Sequence, residues 1–300
     1  MKFFFSAWTI TKKTVVNFFL GDCFSHASSI AFYTIFSLPA ILIIALSIGS
    51  TFYERNIVQE ELINQVSRMI GQESAKEIEN ILLNAVVDST SAFAKTVGIL
   101  TLIFSATTVF ISLQTSINSI WGIKPKPQRG FVKYIVNRLL SLAMVISIGF
   151  VLLVSLVADA VLVIFQDMLS HAMAGITLYI INIVNAVVSL CFITITFAMM
   201  FKILPDAKVR WKDVWVGSVV TMVLFSLGKY LIGFYLGTST FNSAYGTAGS
   251  LVIILVWVYY STMIFLFGAE LTYVYAKEMG SEIQPYTNAV KIEVIEVERN

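Results

Sequence analysis

Nineteen consecutive residues without a charge, from Ser250 to Gly268, constrain this chain more than any other stretch of it. As an α-helix such a run crosses roughly 30 Å of hydrocarbon. In hydrocarbon a backbone must satisfy its own polar groups, which leaves helices and closed barrels as the spanning structures. Five further apolar segments precede it, at about 27–50, 93–113, 139–166, 176–201 and 214–236, and the last segment covers about 249–275. All are much longer than a membrane strand of about 9–11 residues, so they read as helices. Only 13% of the side chains are charged, against about 25% in soluble domains, and the mean hydropathy is +0.83. The expectation is an all-α polytopic membrane protein, one domain over 1–280 with six transmembrane helices.

Between the first two segments lies the one sizeable polar insert, 54–88, with seven acids and the bases Arg55, Arg68 and Lys76. Its apolar residues recur at helical spacing, Val58, Leu62, Val66 and Met69, then Ile78, Ile81, Leu82 and Ala85. Gly71 stops the first run and Ser74-x-x-Glu77 caps the second, so two short extracytoplasmic helices are expected. Residues 1–24 mix Phe3, Phe4, Phe5, Trp8, Phe18 and Phe19 with Lys2, Lys12 and Lys13. They read either as an amphipathic segment in the headgroup layer or as a juxtamembrane linker, and they carry no cleavage pattern. The tail, 281–300, is short and charged and reads as a flexible cytoplasmic end. No internal repeat points to an inverted-repeat transporter.

Orientation follows from Lys and Arg beside the spans. Fifteen would lie on one side: Lys2, Lys12, Lys13, Lys124, Lys126, Arg129, Lys133, Arg138, Lys202, Lys208, Arg210, Lys212, Lys277, Lys291 and Arg299. The other side holds only the three in the acidic insert. Both termini are therefore expected in the cytoplasm. The formal net charge of +2 gives no argument for nucleic acid as a partner. The basic loops 124–138 and 202–212 read instead as contacts to anionic lipid headgroups, with Lys124, Lys126, Arg129, Lys208, Arg210 and Lys212 as the candidates.

Glu270 ends the uncharged run and has no sequence-near cation before Lys277. A carboxylate at membrane depth is by default a functional-site candidate, and the plain alternative is that it is hydrated at the end of the hydrocarbon. Three spans also keep polar residues on one helical face. These are Ser25, Ser29, Tyr33 and Ser37; Ser105, Thr108, Ser112, Thr115 and Ser119; and Asn182, Asn185, Ser189 and Thr196. Such faces line a polar pathway or serve close helix packing. Asn182 and Asn185 demand more, because a primary amide in hydrocarbon needs several partners. The candidate pathway is Glu270, Asn182, Asn185, Tyr33, Ser37 and Ser112. Lys229, far along its span from Glu270, is expected to snorkel outward, and Pro39 and Gly217 mark a kink or close contact.

Several clusters, in order along the chain, resemble the YihY/virulence factor BrkB family, whose members carry the older label "ribonuclease BN". They are Ala31-Phe-Tyr-Thr-Ile-Phe-Ser-Leu-Pro39, Asn118-Ser-Ile-Trp-Gly122, Leu204-Pro-Asp-Ala-Lys-Val-Arg-Trp211 with Gly217, and Tyr245-Gly246 through Trp257 to Gly268-Ala-Glu270. The segment near Ser37-Leu38-Pro39 is compressed relative to the family pattern. The resemblance implies a bacterial inner-membrane protein with six spans and no assigned biochemical activity.

Three functions compete. A transporter or translocation factor for an amphiphile or small solute fits the polar faces and Glu270. A ribonuclease needs acid, base, nucleophile or metal in one place. Yet His26 and His171 are expected at opposite sides of the bilayer, and there is no HxxxH spacing, paired carboxylates or phosphate-binding glycine loop. Cys23 and Cys191 suggest neither a disulfide framework nor a metal site. No enzyme and no cofactor are therefore expected. A membrane scaffold for envelope assembly would use 54–88 as its docking surface.

Overall fold

In a computed structural model of the chain, residues 2–51, 53–70, 75–76, 78–79, 92–126, 176–238, 249–287 and 289–292 are described. They form helices α1 (Lys2–Leu20), α2 (Cys23–Gly49), α3 (Arg55–Ile70) and α4 (Ala92–Ile120), strand β1 (Ile123–Pro125), helix α5 (Ile176–Ile203) and strand β2 (Ala207–Lys208). Helices α6 (Trp211–Thr238) and α7 (Gly249–Glu278) follow, then β3 (Gln284–Pro285) and β4 (Ala289–Lys291). Among the described residues two helices are long and apolar enough to cross a membrane, Trp211–Ile232 and Leu251–Glu278. Cys23–Leu38 and Ala40–Ser47 make a third if these pieces, bent by 50° at Pro39, count as one span. The segment expected at 139–166 lies outside the described residues.

Hydroxyl groups in these helices are largely satisfied within them. Thr107, Ser116, Thr194, Ser218, Thr221 and Thr272 each donate to a carbonyl four residues back, at 2.7–2.8 Å. In an apolar medium this removes the cost of an unmet donor, and the compact side chain lets a neighbouring helix approach. Ser37 acts between helices instead, donating from α2 to the Ser105 carbonyl of α4 at 2.5 Å.

Helix α7 is the hub, packing on α6, α2 and α1 and more lightly on α4. Its seam with α6 is reciprocal. A Cβ at Gly217 would lie 1.8 Å from Thr272 Oγ1, and one at Gly268 would lie 1.8 Å from Thr221 Oγ1. Each helix thus presents glycine and then, one turn later, threonine, in opposite directions along an antiparallel pair, and each threonine fills the space over the other helix's glycine. Helices α5 and α6 join the same core through Phe197, Phe201, Phe225 and Phe265, with Phe201 stacked on Phe265 at 5.1 Å.

In the insert, α3 lays Val58 and Leu62 against Leu42, Ile43 and Leu46 of α2; 71–74, 77 and 80–91, with the expected cap Ser74-x-x-Glu77 and most of the second helix, lie outside the described residues. The tail departs from the expectation of a flexible end. β4 pairs antiparallel with β1, and β3 with β2, so the chain after α7 ties down the loops after α4 and α5. Gly122, at φ 62°, makes the turn from α4 into β1 in a conformation other residues rarely adopt, and its carbonyl accepts from Ile292 N at 2.7 Å. The strand that pairs with β4 lies far away in sequence, which local patterning does not reveal.

Candidate functional site

The paired strands, the start of α2, the ends of α4 and α5, the start of α6 and the end of α7 gather at one end of the bundle, and Glu270 belongs to this end. Glu270 is 4% exposed. Asn17 Nδ2 donates to Glu270 Oε1 at 2.8 Å, so the carboxylate is covered by α1. Helix α1 is applied through a buried face at helical spacing, Ile10, Thr14 and Phe18, with the exposed Asn17 at its edge. Ile10 packs with Leu271 and Val274, and the Phe18 ring meets Phe267 edge-on with centroids 5.4 Å apart. At the rim Lys13 Nζ pairs with Glu278 Oε1 at 2.6 Å. Thr14 is fully buried on this face, and its Oγ1 has no hydrogen-bond partner among the described residues. Among the described residues no Lys or Arg forms an ion pair with Glu270.

Of the residues expected to share a pathway with Glu270, those whose side chains are described make no hydrogen bond to it. Tyr33 is exposed on α2; Ser37 is buried and bound to α4; Ser112 is half-buried, and its carbonyl accepts from Ser116. Asn182 and Asn185 fall in α5, with side chains outside those described. Among the described residues no hydrogen bond joins Glu270 to Tyr33, Ser37 or Ser112. Its partner Asn17 was missed; the helical spacing of Ile10, Thr14 and Phe18 is a signal that could have shown a packed face of α1, though not its target. Lys229 is exposed, as snorkelling requires.

A second polar knot was also missed, although both halves lie in the clusters that carried the family resemblance. Asn118 Nδ2 donates to Asp206 Oδ2 and Asn118 Oδ1 accepts from Asp206 N, both at 2.9 Å. The Trp121 indole N–H, on the next turn, donates to the Ala269 carbonyl at 3.0 Å with the ring fully buried. Together these bonds lock the ends of α4 and α5 onto α7 beside Glu270.

Of the basic candidates Lys124, Lys126, Lys208, Arg210 and Lys212 are exposed around this end, while Arg129 lies outside the described residues. Lys126 Nζ donates to the Thr287 carbonyl at 2.9 Å, and Arg210 Nε to Asp213 Oδ2 at 3.3 Å. Lys202 lies over the Trp211 ring, 5.6 Å from its centroid. On the tail, a hydrogen bond from Lys291 holds the Glu282 carboxyl below its usual pKa. Among the described residues no three His, Cys, Asp or Glu side chains come together as a metal site.

Long apolar helices packed through small residues, with hydroxyls satisfied internally, define a helical integral membrane protein. The chain belongs to the Virulence factor BrkB family, whose pattern matches residues 14–293. It is 24% identical to a UPF0761 membrane protein of Nitrosospira multiformis, over 85% of this chain and 58% of the relative. It is 24% identical to one of Legionella pneumophila, over 96% and 68%, and 27% identical to one of Xanthomonas campestris, over 84% and 57%. The chain thus spans less than two thirds of the first of these relatives. No solved structure matches it.

Proposed function

We propose that this chain is a transporter or translocation factor for an amphiphile or small solute in the bacterial inner membrane. It would have six spans and cytoplasmic termini, and no enzymatic chemistry. One observation carries the reading: the ionisable side chain that ends the last apolar run is buried against protein, on a neutral amide. A carboxylate held out of water is costly, so its presence at this depth favours a functional role. The topology is supported by the strand pairings, which put the segments after α4, α5 and α7 at one end of the bundle. That arrangement requires an even number of crossings between β1 and β2, which the segments at about 139–166 and 176–201 supply. The exposed Lys124, Lys126, Lys208, Arg210 and Lys212 then meet anionic headgroups.

Purified protein reconstituted into phospholipid vesicles tests this with an acyl-labelled fluorescent phospholipid quenched from outside, alongside solute-driven swelling. The wild type should accelerate one of the two over protein-free vesicles, and Glu270→Gln at equal incorporation should slow it. Rates equal to those of empty vesicles in both assays would defeat transport and favour a scaffold that docks through 54–88.

A further inference from the structure

Resting on that transport reading, we propose that Glu270, Asn17 and Thr14 form a recognition site for a primary ammonium group, so that the amphiphile handled carries an amine in its headgroup. The first ground is charge. Glu270 is buried with a neutral donor as its partner; Lys13 is engaged by Glu278, and Lys277 on the same helix is exposed. Among the described residues the site therefore lacks one positive charge in direct contact, and a carboxylate away from water favours an ionic, hydrogen-bonded ligand.

The second ground is the number of acceptors. An alkylammonium has three N–H donors. With Asn17 Nδ2 bound to Glu270 Oε1, the amide oxygen of Asn17 and Oε2 of Glu270 remain as acceptors. Thr14 adds the third: its Oγ1 is buried and unpartnered, one turn from Asn17 on the same face. Buried Thr107, Thr194, Thr221 and Thr272 use the carbonyl four residues back, whereas Thr14 leaves that bond unmade.

The third ground is depth. The outward face of α1 exposes Trp8, Phe19 and Leu20, which suits the headgroup layer, where a lipid amine lies. Helix α1 breaks from α2 at Gly21–Asp22, and its rim contact with α7 is a solvent-exposed ion pair, so access requires that α1 tilt away and part Ile10 and Phe18 from α7. A trimethylammonium offers no N–H donor and fails the same site.

The test is thermal unfolding of the detergent-purified full chain with dihexanoyl phosphatidylethanolamine or dihexanoyl phosphatidylcholine. The ethanolamine lipid should raise Tm saturably and the choline lipid should not. Glu270→Gln should abolish the shift, and Thr14→Val should weaken apparent affinity roughly tenfold, the loss of one hydrogen bond to a charged group. Equal shifts from both lipids, a shift retained in Glu270→Gln, or the same shift from NaCl alone would overturn the proposal. If Glu270→Gln does not fold, unchanged affinity in Thr14→Val overturns it. Vesicle transport that ignores the headgroup leaves the transport reading standing and defeats this one. Amine-specific binding without transport does the reverse.

Discussion

Replacing Gly268 with alanine sets two well-understood effects against each other. In an exposed helix interior the change stabilises by about 1 kcal/mol, because glycine is the weaker helix former. At this position the new Cβ would lie 1.8 Å from Thr221 Oγ1, 2.9 Å from Thr221 Cβ and 3.0 Å from Phe201 Cζ. Neither neighbour yields easily: Thr221 Oγ1 is held by the Gly217 carbonyl at 2.7 Å, and Phe201 is fully buried and stacked on Phe265. The helices must separate instead, and because the seam is reciprocal the separation also opens the contact of Gly217 with Thr272. Overpacking of this kind costs about 1–3 kcal/mol, so the net sign should be destabilising. Unfolding in mixed detergent micelles, followed by far-UV circular dichroism, reads the difference. Thr221→Ala removes the 1.8 Å contact and leaves the milder 2.9 Å one, so the double variant should recover the larger part, with a coupling energy of about 0.5–3 kcal/mol. A Gly268→Ala protein at least as stable as the wild type, or no rescue by Thr221→Ala, would refute the seam.

Trp121→Phe should cost about 1–3 kcal/mol in the same assay, because the Ala269 carbonyl loses its indole donor while still buried. Asn118→Ala should cost about as much and loosen the loop at 204–210, read as faster amide exchange at Asp206, whose N–H loses its acceptor. Lys13→Ala should lower stability by less than about 1 kcal/mol, since the Lys13–Glu278 pair is solvent-exposed; a larger loss would mean α1 is held by its rim rather than its buried face. On acidification the Lys291–Glu282 contact should persist below pH 4.5, the ordinary carboxyl value, and fail as pH falls through the lowered pKa of Glu282. Amide exchange at 289–292 against pH reads this, and release of β4 already above pH 4.5 would contradict it.

The helices were legible because apolar runs of membrane length have few alternatives, and α3 because its 3.6-residue period is clear. The strands and the site were harder to read for a common reason: their determinants are pairs distant in sequence. Ile123 faces Lys291, and Asn17 meets a carboxylate 253 residues away. A face of small and hydroxylated residues was ambiguous too, since a hydroxyl bonded to its own helix and one lining a pathway share the same spacing. The sequence pointed to Glu270 and to the cluster Asn118-Ser-Ile-Trp121; it did not say that the first meets α1 or that the second meets Asp206 and Ala269.

Four residues of α7 contact three different partners, and helix geometry explains the assignment. Gly268 and Thr272, four apart, share the face toward α6. Ala269, about 100° further round, gives its carbonyl to Trp121 of α4. Glu270, about 200° from Gly268, points away from the α6 seam and meets α1. The carboxylate therefore cannot line a cavity between α6 and α7, and a pathway that uses it has to run along the α1 side of the hub. Movement of α1 exposes Glu270 without disturbing the threonine and glycine contacts behind it. The core helices can thus remain rigid while the buried Glu270 becomes accessible, and that separation is what the proposed binding step at the membrane surface requires.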